Sequence, residues 1–372
     1  MELYILQHYW WILLCILGGA LVFLLFVQGG QSLLYTIGKT GGERDLLINT
    51  LGHKWEYTFT TLVVFGGAFF ASFPLFYSTS FGGAYVVWML ILFCFILQAV
   101  SYEYHNKPNN FLGQRTYEVF LMVNGYAAPV LLGAAVATFF TGSPFRLGNM
   151  NEVEWTTPWR GLDALFVVTN YFLAFAILFL ARTQAVLYFI LTVDHPDIRT
   201  RSHRQVLYNA VPFIAFFLLF LGSILCGKGY AVDADGHVQV TEYKYLHNLL
   251  EMPLNTVILL AGVAAVLFGI IRTLLRPQWR KGVWFTGTGT ILTVVALLIM
   301  AGFNHTAFYP SSVDPSSSLT IYNASSSLYT LKTMSYVSLI IPFVIAYIWY
   351  AWRSLTRKAM NEQEVEEEEN KY

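Results

Sequence analysis

The run Tyr9-Trp10-Trp11-Ile12-Leu13-Leu14-Cys15-Ile16-Leu17-Gly18-Gly19-Ala20-Leu21-Val22-Phe23-Leu24-Leu25-Phe26-Val27 carries no charged side chain, and the next charge along the chain is Lys39. An apolar helix of about 20 residues crosses the hydrocarbon core of a bilayer, so a transmembrane span is expected over 9–36. Similar runs follow at 57–79, 82–104, 117–141, 162–192, 206–226, 254–275, 283–302 and 328–352. The weakest division lies between the second and third, where Ser78-Thr79-Ser80-Phe81-Gly82-Gly83 leaves room only for a tight turn. Composition agrees with this pattern. Of 372 residues, 56% are hydrophobic, 17% aromatic and only 12% charged, with a mean hydropathy of +0.53. A soluble chain of this size cannot bury so much apolar surface. The expected fold is an all-α integral membrane protein of about nine transmembrane helices packed as helical bundles. Residues 1–357 form a single polytopic membrane domain, and 358–372 form an acidic, disordered tail. The N-terminus has no basic region and no small-residue cleavage site after its apolar run, which predicts a retained span.

The chain has 22 basic and 22 acidic residues, so no basic excess exists to collect nucleic-acid phosphates. Six of the acids (Glu362, Glu364, Glu366, Glu367, Glu368 and Glu369) fall in the last eleven residues. With nine spans, sixteen Lys and Arg residues lie on the side of the C-terminus: in 37–56, 105–116, 193–205 and 276–282, beyond 352, and at Arg272 on an adjoining helix end. The other side has four: Arg146, Arg160, Lys228 and Lys244. The positive-inside rule then puts the N-terminus outside and the tail in the cytoplasm. Connections 142–161, 227–253 and 303–327 face outside, and Asp233-Ala234-Asp235-Gly236 predicts a turn between two alternating segments. Cys15, Cys94 and Cys226 sit in apolar runs without a C-x-x-C pair and read as small hydrophobes.

Charges at membrane depth are expensive and therefore mark function. Glu56 opens the second expected span, Glu103 closes the third and Glu118 opens the fourth, all at their cytoplasmic ends. Together they could form an inward-facing proton mouth, or pair with Lys54, Lys107 and Arg115. A carboxylate at a helix N-terminus is also favoured by the helix dipole, so a capping role competes for Glu56. Trp55 precedes it as support. Gln28 and Gln31, three apart on the first span, serve either as glue between helices or as a water-lined path. Arg182 and Gln184 lie inside the fifth span, where the Arg needs an ion-pair partner or a lipid or quinone oxygen. Lys332, near the outer end of the last span, is expected to snorkel. All eight histidines fall in loops or near span ends, which disfavours a haem axial ligand in this chain, and no metal-ligand pattern appears. Gly66-Gly67-Ala68 with Ala71-Ser72, and Gly125 with Gly133, are expected to let helices approach closely, and Pro74 to kink the second span. On these residues alone a transporter or channel ranks ahead of a respiratory-complex subunit.

Two blocks carry a resemblance. Glu43-Arg44-Asp45-Leu46-Leu47-Ile48-Asn49-Thr50-Leu51-Gly52-His53-Lys54-Trp55-Glu56 precedes Gly66-Gly67-Ala68-Phe69-Phe70-Ala71-Ser72-Phe73-Pro74-Leu75-Phe76-Tyr77. The pair resembles subunit II of the cytochrome bd quinol oxidases, with its E-R-x-x-x-I-N-(ST) and W-(DE) followed by G-G-A-x-F-A-x-(WF)-P-x-x-Y. Val100-Ser101-Tyr102-Glu103-Tyr104, Pro310-Ser311-Ser312 and Ser318-Leu319-Thr320-Ile321-Tyr322-Asn323-Ala324-Ser325-Ser326-Ser327 resemble further blocks of that family. The likeness covers about residues 1–355.

The resemblance implies a non-haem subunit of a bacterial cytoplasmic-membrane oxidase that couples quinol oxidation to reduction of O2 to water. Two b-type haems and one d-type haem would reside in the partner, subunit I, forming a heterodimer. A small single-span accessory subunit, bound lipid and a structural quinone are compatible with it. This chain would support assembly and carry protons from the cytoplasm, with the family's acidic positions landing on Glu56 and Glu103. It departs from the family at Val27-Gln28-Gly29-Gly30-Gln31, where T-D-G-x-D is common, and at Gln98-Ala99, where Arg-Pro can occur. A polytopic secondary transporter and a purely structural assembly subunit are the alternatives.

Overall fold

The computed structural model describes residues 1–107, 110–233 and 235–355, so the acidic tail at 358–372 lies outside the described residues. The first span is α1 (Glu2–Leu24), continued past Leu25 by α2 (Phe26–Gln31) and the short α3 (Leu34–Ile37). Next comes α4 (Gly41–Ser72), a 32-residue helix. It begins with a capping box: the Glu43 N–H donates to Thr40 Oγ1 at 3.2 Å, and the Thr40 N–H donates to Glu43 Oε2 at 3.1 Å. The 37–56 connection is therefore mostly helix, and Glu56 sits mid-helix rather than at an N-terminus. Its capping role falls away.

Before Pro74 the backbone of Phe73 leaves the helical region at φ −134°, ψ 65°. The short α5 (Pro74–Tyr77) and a π-helical turn at Ser78–Gly82 then lead into α6 (Tyr85–Tyr104). After α7 (Gln114–Thr141), strands β1 (Phe145–Leu147) and β2 (Val153–Trp155) pair antiparallel. The fifth span is shorter than expected. Gly161, at φ 97°, ends the loop in a left-handed turn, and Leu162–Phe166 is a 3-10 turn ahead of α8 (Val168–Thr192). Conversely, α9 (Pro196–Leu225) starts ten residues before its expected span, with Pro196 in the first turn and Asp197 beside it. Arg199, Arg201 and Arg204 are thus on a helix and not in a loop.

The anticipated hairpin forms from β3 (Lys228–Val232) and β4 (Val238–Glu242). It is followed by α10 (Lys244–Glu251), α11 (Pro253–Leu275), α12 (Gly282–Gly302), α13 (Leu328–Ser338) and α14 (Ile341–Leu355). Among the described residues, eight helical runs are long and apolar enough to cross a membrane, and they match eight expected spans. The other, 57–79, falls on the second half of α4 and on α5, where Tyr57, Thr58, Thr60 and Thr61 lower the hydropathy.

Helix α8 is buried along most of its length, between α7, α9, α2 and α12. Glycine sets its closest approach. A Cβ on Gly29 would lie 2.1 Å from the Ala181 carbonyl oxygen of α8; where α7 meets α2, one on Gly125 would lie 2.5 Å from the Ser32 nitrogen. Gly133 packs as expected, its Cβ position 2.6 Å from the Ala174 Cα. Gly67 does not, since nothing stands within 4 Å of it. All three cysteines are free; Cys15 and Cys94 are buried, whereas Cys226 is exposed. The long loops are knitted into one cap by backbone bridges Ser143–Ser311, Ala231–Thr306 and Tyr309–Leu319. We call this the cap end, and the opposite one, with Arg44, Lys107 and Arg201, the basic end.

Candidate functional site

At the basic end the α4 cap is also an electrostatic junction. Glu43 is 4% exposed and takes both guanidinium Nη groups of Arg201, one of them at 2.9 Å. Arg201 donates as well to the Ile37 carbonyl. Hydrogen bonding from Arg201 holds the Glu43 carboxyl down at about 2; burial opposes this, while the Lys39 and Thr40 amides assist.

One residue on, Arg44 Nε donates to Glu118 Oε1 at 2.9 Å, and its guanidinium lies 5.0 Å from the centre of the Tyr35 ring. The Tyr35 hydroxyl donates to Glu118 Oε2. His105, at the end of α6 and 0% exposed, places Nε2 3.9 Å from both Glu118 Oε1 and Asp45 Oδ1. So Glu118 does pair, but with Arg44 rather than Lys54, Lys107 or Arg115. Lys54 instead points its ammonium at the Trp352 ring, 4.5 Å from the centroid, and its Nζ has no hydrogen-bond partner.

Deeper in the bundle lies a buried amide cluster. Gln98 Oε1 accepts from Gln28 Nε2 at 2.7 Å, Gln31 Nε2 at 2.8 Å and Asn124 Nδ2 at 2.6 Å. Gln31 Nε2 also reaches the Tyr102 hydroxyl at 3.0 Å, and Asn124 Nδ2 reaches Gln31 Oε1 at 2.7 Å. All four amides are 0% exposed. Three donors crowd one oxygen while Gln28 Oε1, Gln98 Nε2 and Asn124 Oδ1 have no hydrogen-bond partner, a mismatch that an amide flip or a bridging water resolves. Trp55 supports this layer by stacking on Tyr102, with centroids 5.7 Å apart and planes at 14°.

Gln98, Tyr102 and His105 follow one another at i, i+4 and i+7 along one face of α6. A polar seam therefore runs from Glu118 and His105 at the basic end to the amides within. Gln98→Leu is expected to lower the thermal stability of the assembled protein by about 1–2 kcal/mol, since hydrogen bonds between spanning helices are individually modest. A melting curve of the purified protein checks it; an unchanged midpoint would mean the cluster is already broken by water.

The remaining expected residues lie elsewhere. Glu56 and Glu103 are both exposed on this chain, and Glu103 meets Lys107 at 3.6 Å. Arg182 finds no carboxylate; its Nε donates to Asn209 Oδ1 at 2.7 Å and its Nη1 to the Tyr126 hydroxyl at 3.0 Å. Its Nη1 also stands 3.4 Å from Ser32 Oγ, next to Gln31. Gln184 bonds Thr290 at 2.7 Å, away from the seam. Lys332 pairs with Glu2 at 2.7 Å. Sequence reading missed Asp45, Tyr35, His105, Tyr102 and Asn124 as site members. The one available signal was polar side chains recurring inside apolar runs on neighbouring helices.

Comparison with known proteins fits this architecture. The family profile "Cytochrome bd terminal oxidase subunit II" matches residues 6–355. Cytochrome bd-I ubiquinol oxidase subunit 2 of Escherichia coli (strain K12) is 25% identical, over 95% of this chain and 95% of that protein. Cytochrome bd ubiquinol oxidase subunit 2 of Bacillus subtilis (strain 168) is 26% identical over 92% and 94%. The structure of bd oxidase from Geobacillus thermodenitrificans contains a chain that superposes with a TM-score of 0.63 at 12% identity, covering 96% of this chain and 99% of that one. With eight apolar helices built around a common core, the chain belongs to the cytochrome bd terminal oxidase subunit II family and is a multi-pass protein of the bacterial inner membrane.

Proposed function

We propose that this chain is the non-haem subunit of a quinol-oxidising terminal oxidase, supporting assembly of a haem-bearing subunit I and conducting protons to it from the cytoplasm. The observation that supports the proton role is the polar seam leading inward from Glu118 and His105. In this reading the chain crosses the membrane nine times, α4 and α5 supplying the second crossing. The N-terminus lies outside, and the basic end faces the cytoplasm.

Haem ligation does not suit these residues. The one fully buried histidine, His105, faces two carboxylates, and none of the other seven is buried. We therefore assign the two b-type haems and the d-type haem to subunit I and route no step of this chain's chemistry through them. Reduction of O2 to water consumes protons, and this chain's residues hold and move them.

Glu118 is kept in place by Arg44 and Tyr35 at the mouth. The amides of Gln28, Gln31, Gln98 and Asn124 cannot exchange protons as carboxylates do, so passage along them needs water. Glu56 and Glu103 are exposed on this chain alone, which supports a role in handing protons to subunit I. Arg182 and Tyr126, open to the flank of α7, offer donors to a quinone or lipid oxygen.

Glu56→Gln in the assembled complex is expected to slow quinol-driven O2 consumption about tenfold or more while the haem absorption spectrum is retained. Unchanged turnover across pH would leave this chain a purely structural assembly subunit. Purification of the chain alone with stoichiometric haem would overturn the assignment of the cofactors.

A further inference from the structure

Asp45, His105 and Glu118 come from three different helices or helix ends: the start of α4, the end of α6 and the start of α7. Their ligand-capable atoms all lie within 4.8 Å of one another. His105 is 0% exposed, and neither ring nitrogen has a hydrogen-bond partner. An imidazole withdrawn from water in this way is unfavourable unless something occupies the space it faces. What it faces is an oxygen of Glu118 and an oxygen of Asp45, each at 3.9 Å, too far for a hydrogen bond.

We propose that Asp45, His105 and Glu118 form a binding site for a divalent transition-metal ion of the zinc type. One imidazole nitrogen and two carboxylate oxygens are a donor set suited to such an ion, with metal–ligand distances of about 2.0–2.2 Å and water completing the shell. The two nitrogen–oxygen separations of 3.9 Å are close to the span of such a centre, and all three donor atoms lie within 4.8 Å of one another. The outer contacts are those a ligating carboxylate uses. Arg44 Nε and the Tyr35 hydroxyl fix Glu118, leaving lone pairs free on its oxygens. Asp45, 31% exposed at its side chain, opens the site to the aqueous phase at the basic end. A second group, Glu43 with His195 and Asp197, has similar spacing. There His195 is only half-buried, its Nδ1 already accepts from the Ile198 N–H at 3.4 Å, and Asp197 is exposed, whereas His105 is buried with neither ring nitrogen engaged.

The ion would tie α4, α6 and α7 together at the point where the polar seam opens. The binding itself does not depend on the oxidase reading, because the test reads metal and not turnover. The complex, freed of metal with a chelator, is titrated with Zn2+ and the bound ion counted by mass spectrometry after gel filtration. One Zn2+ per complex is expected, with X-ray absorption at the zinc edge reporting a single imidazole among oxygen ligands. His105→Ala and Asp45→Asn should each weaken binding at least about tenfold. Asp45→Asn, a change at a partly exposed side chain, keeps the comparison interpretable if His105→Ala fails to assemble, and the haem spectrum reports assembly in both. Zinc bound with equal stoichiometry and affinity in Asp45→Asn would place the ion elsewhere and overturn the proposal. Absence of binding by the unaltered complex would also overturn it.

Discussion

Replacing Arg201 by alanine is expected to destabilise the subunit by about 3 kcal/mol, enough to shift the melting temperature of the assembled complex by several degrees. Glu43 is almost completely buried, and Arg201 satisfies both of its oxygens. Truncating the guanidinium leaves a carboxylate that has lost its counter-charge but not its burial. The Lys39 and Thr40 amides still donate to it, and Arg201 is 25% exposed, so the lower end of the range for a broken buried pair applies. The pH dependence has a definite sign. Glu43 titrates at about 2 in the folded protein against an ordinary 4.5, so the pair contributes fully above the ordinary value. Its contribution fades as the pH falls through that interval. The difference in melting temperature between unaltered and Arg201→Ala protein should be constant from neutrality down to about pH 5 and shrink below it. Adding Glu43→Gln to Arg201→Ala should recover part of the loss, because the uncompensated charge is then gone. If Arg201→Ala melts like the unaltered complex, the pair is solvated in the assembly and the burial argument fails.

Gly29→Ala is expected to have an effect of similar or larger size. The added methyl would sit 2.1 Å from the Ala181 carbonyl oxygen, 2.2 Å from its carbon and 2.5 Å from the Arg182 nitrogen. These are backbone atoms of α8, which cannot rotate away as a side chain can. On its other side α2 is pinned by α7, where Gly125 approaches the Ser32 nitrogen and the Gln28 oxygen. The helix has nowhere to move. Overpacking of a tight core costs about 1–3 kcal/mol, and the upper end or beyond is expected where backbone blocks backbone. The amide cluster would shift with α2, because Gln28 and Gln31 flank the glycine. Gly67→Ala is the control: with nothing within 4 Å, it should change stability by less than about 0.5 kcal/mol. Yields and melting midpoints of the two variants test the contrast. Equal behaviour would mean that α2 and α8 are not held in this contact.

Much of the architecture was legible because a bilayer imposes a simple rule on length and apolarity. The run from Tyr9 to Val27 could be nothing but a span, and Pro74 marked its helix break correctly. Connections were read less well. Both 37–56 and 193–205 carry charges, which suggested loops, yet Thr40 and Pro196 start helices there that continue into the apolar runs. Hydropathy sees where a helix becomes apolar, not where it begins. For the site, Gln28, Gln31 and Glu118 were singled out by depth and do lie on the polar seam. Asp45 and His105 were not, because their meeting with Glu118 depends on how three helix ends converge. That convergence is a tertiary fact without a local pattern. Gln98 appeared in the sequence only as a departure from a family position, and its place as the acceptor of three amides became visible only with the helices side by side. Glycine shows the same limit: Gly66-Gly67 is the more conspicuous pair, whereas the close contact is made at Gly29.

The cap of knitted loops bears on how the chain is made. Ser143 bridges to Ser311, Ala231 to Thr306 and Tyr309 to Leu319. Ser143 and Ala231 leave the ribosome long before their partners Ser311 and Thr306 exist. Until the last third of the chain is synthesised and inserted, the strand edges at 143 and 231 stand open, exposed to proteases and to the wrong neighbours. Maturation of this surface is thus a late event, closed by the segment that precedes α13. A chain stalled or truncated before that segment would carry its helices without its seal, a form that quality control can tell from the finished protein.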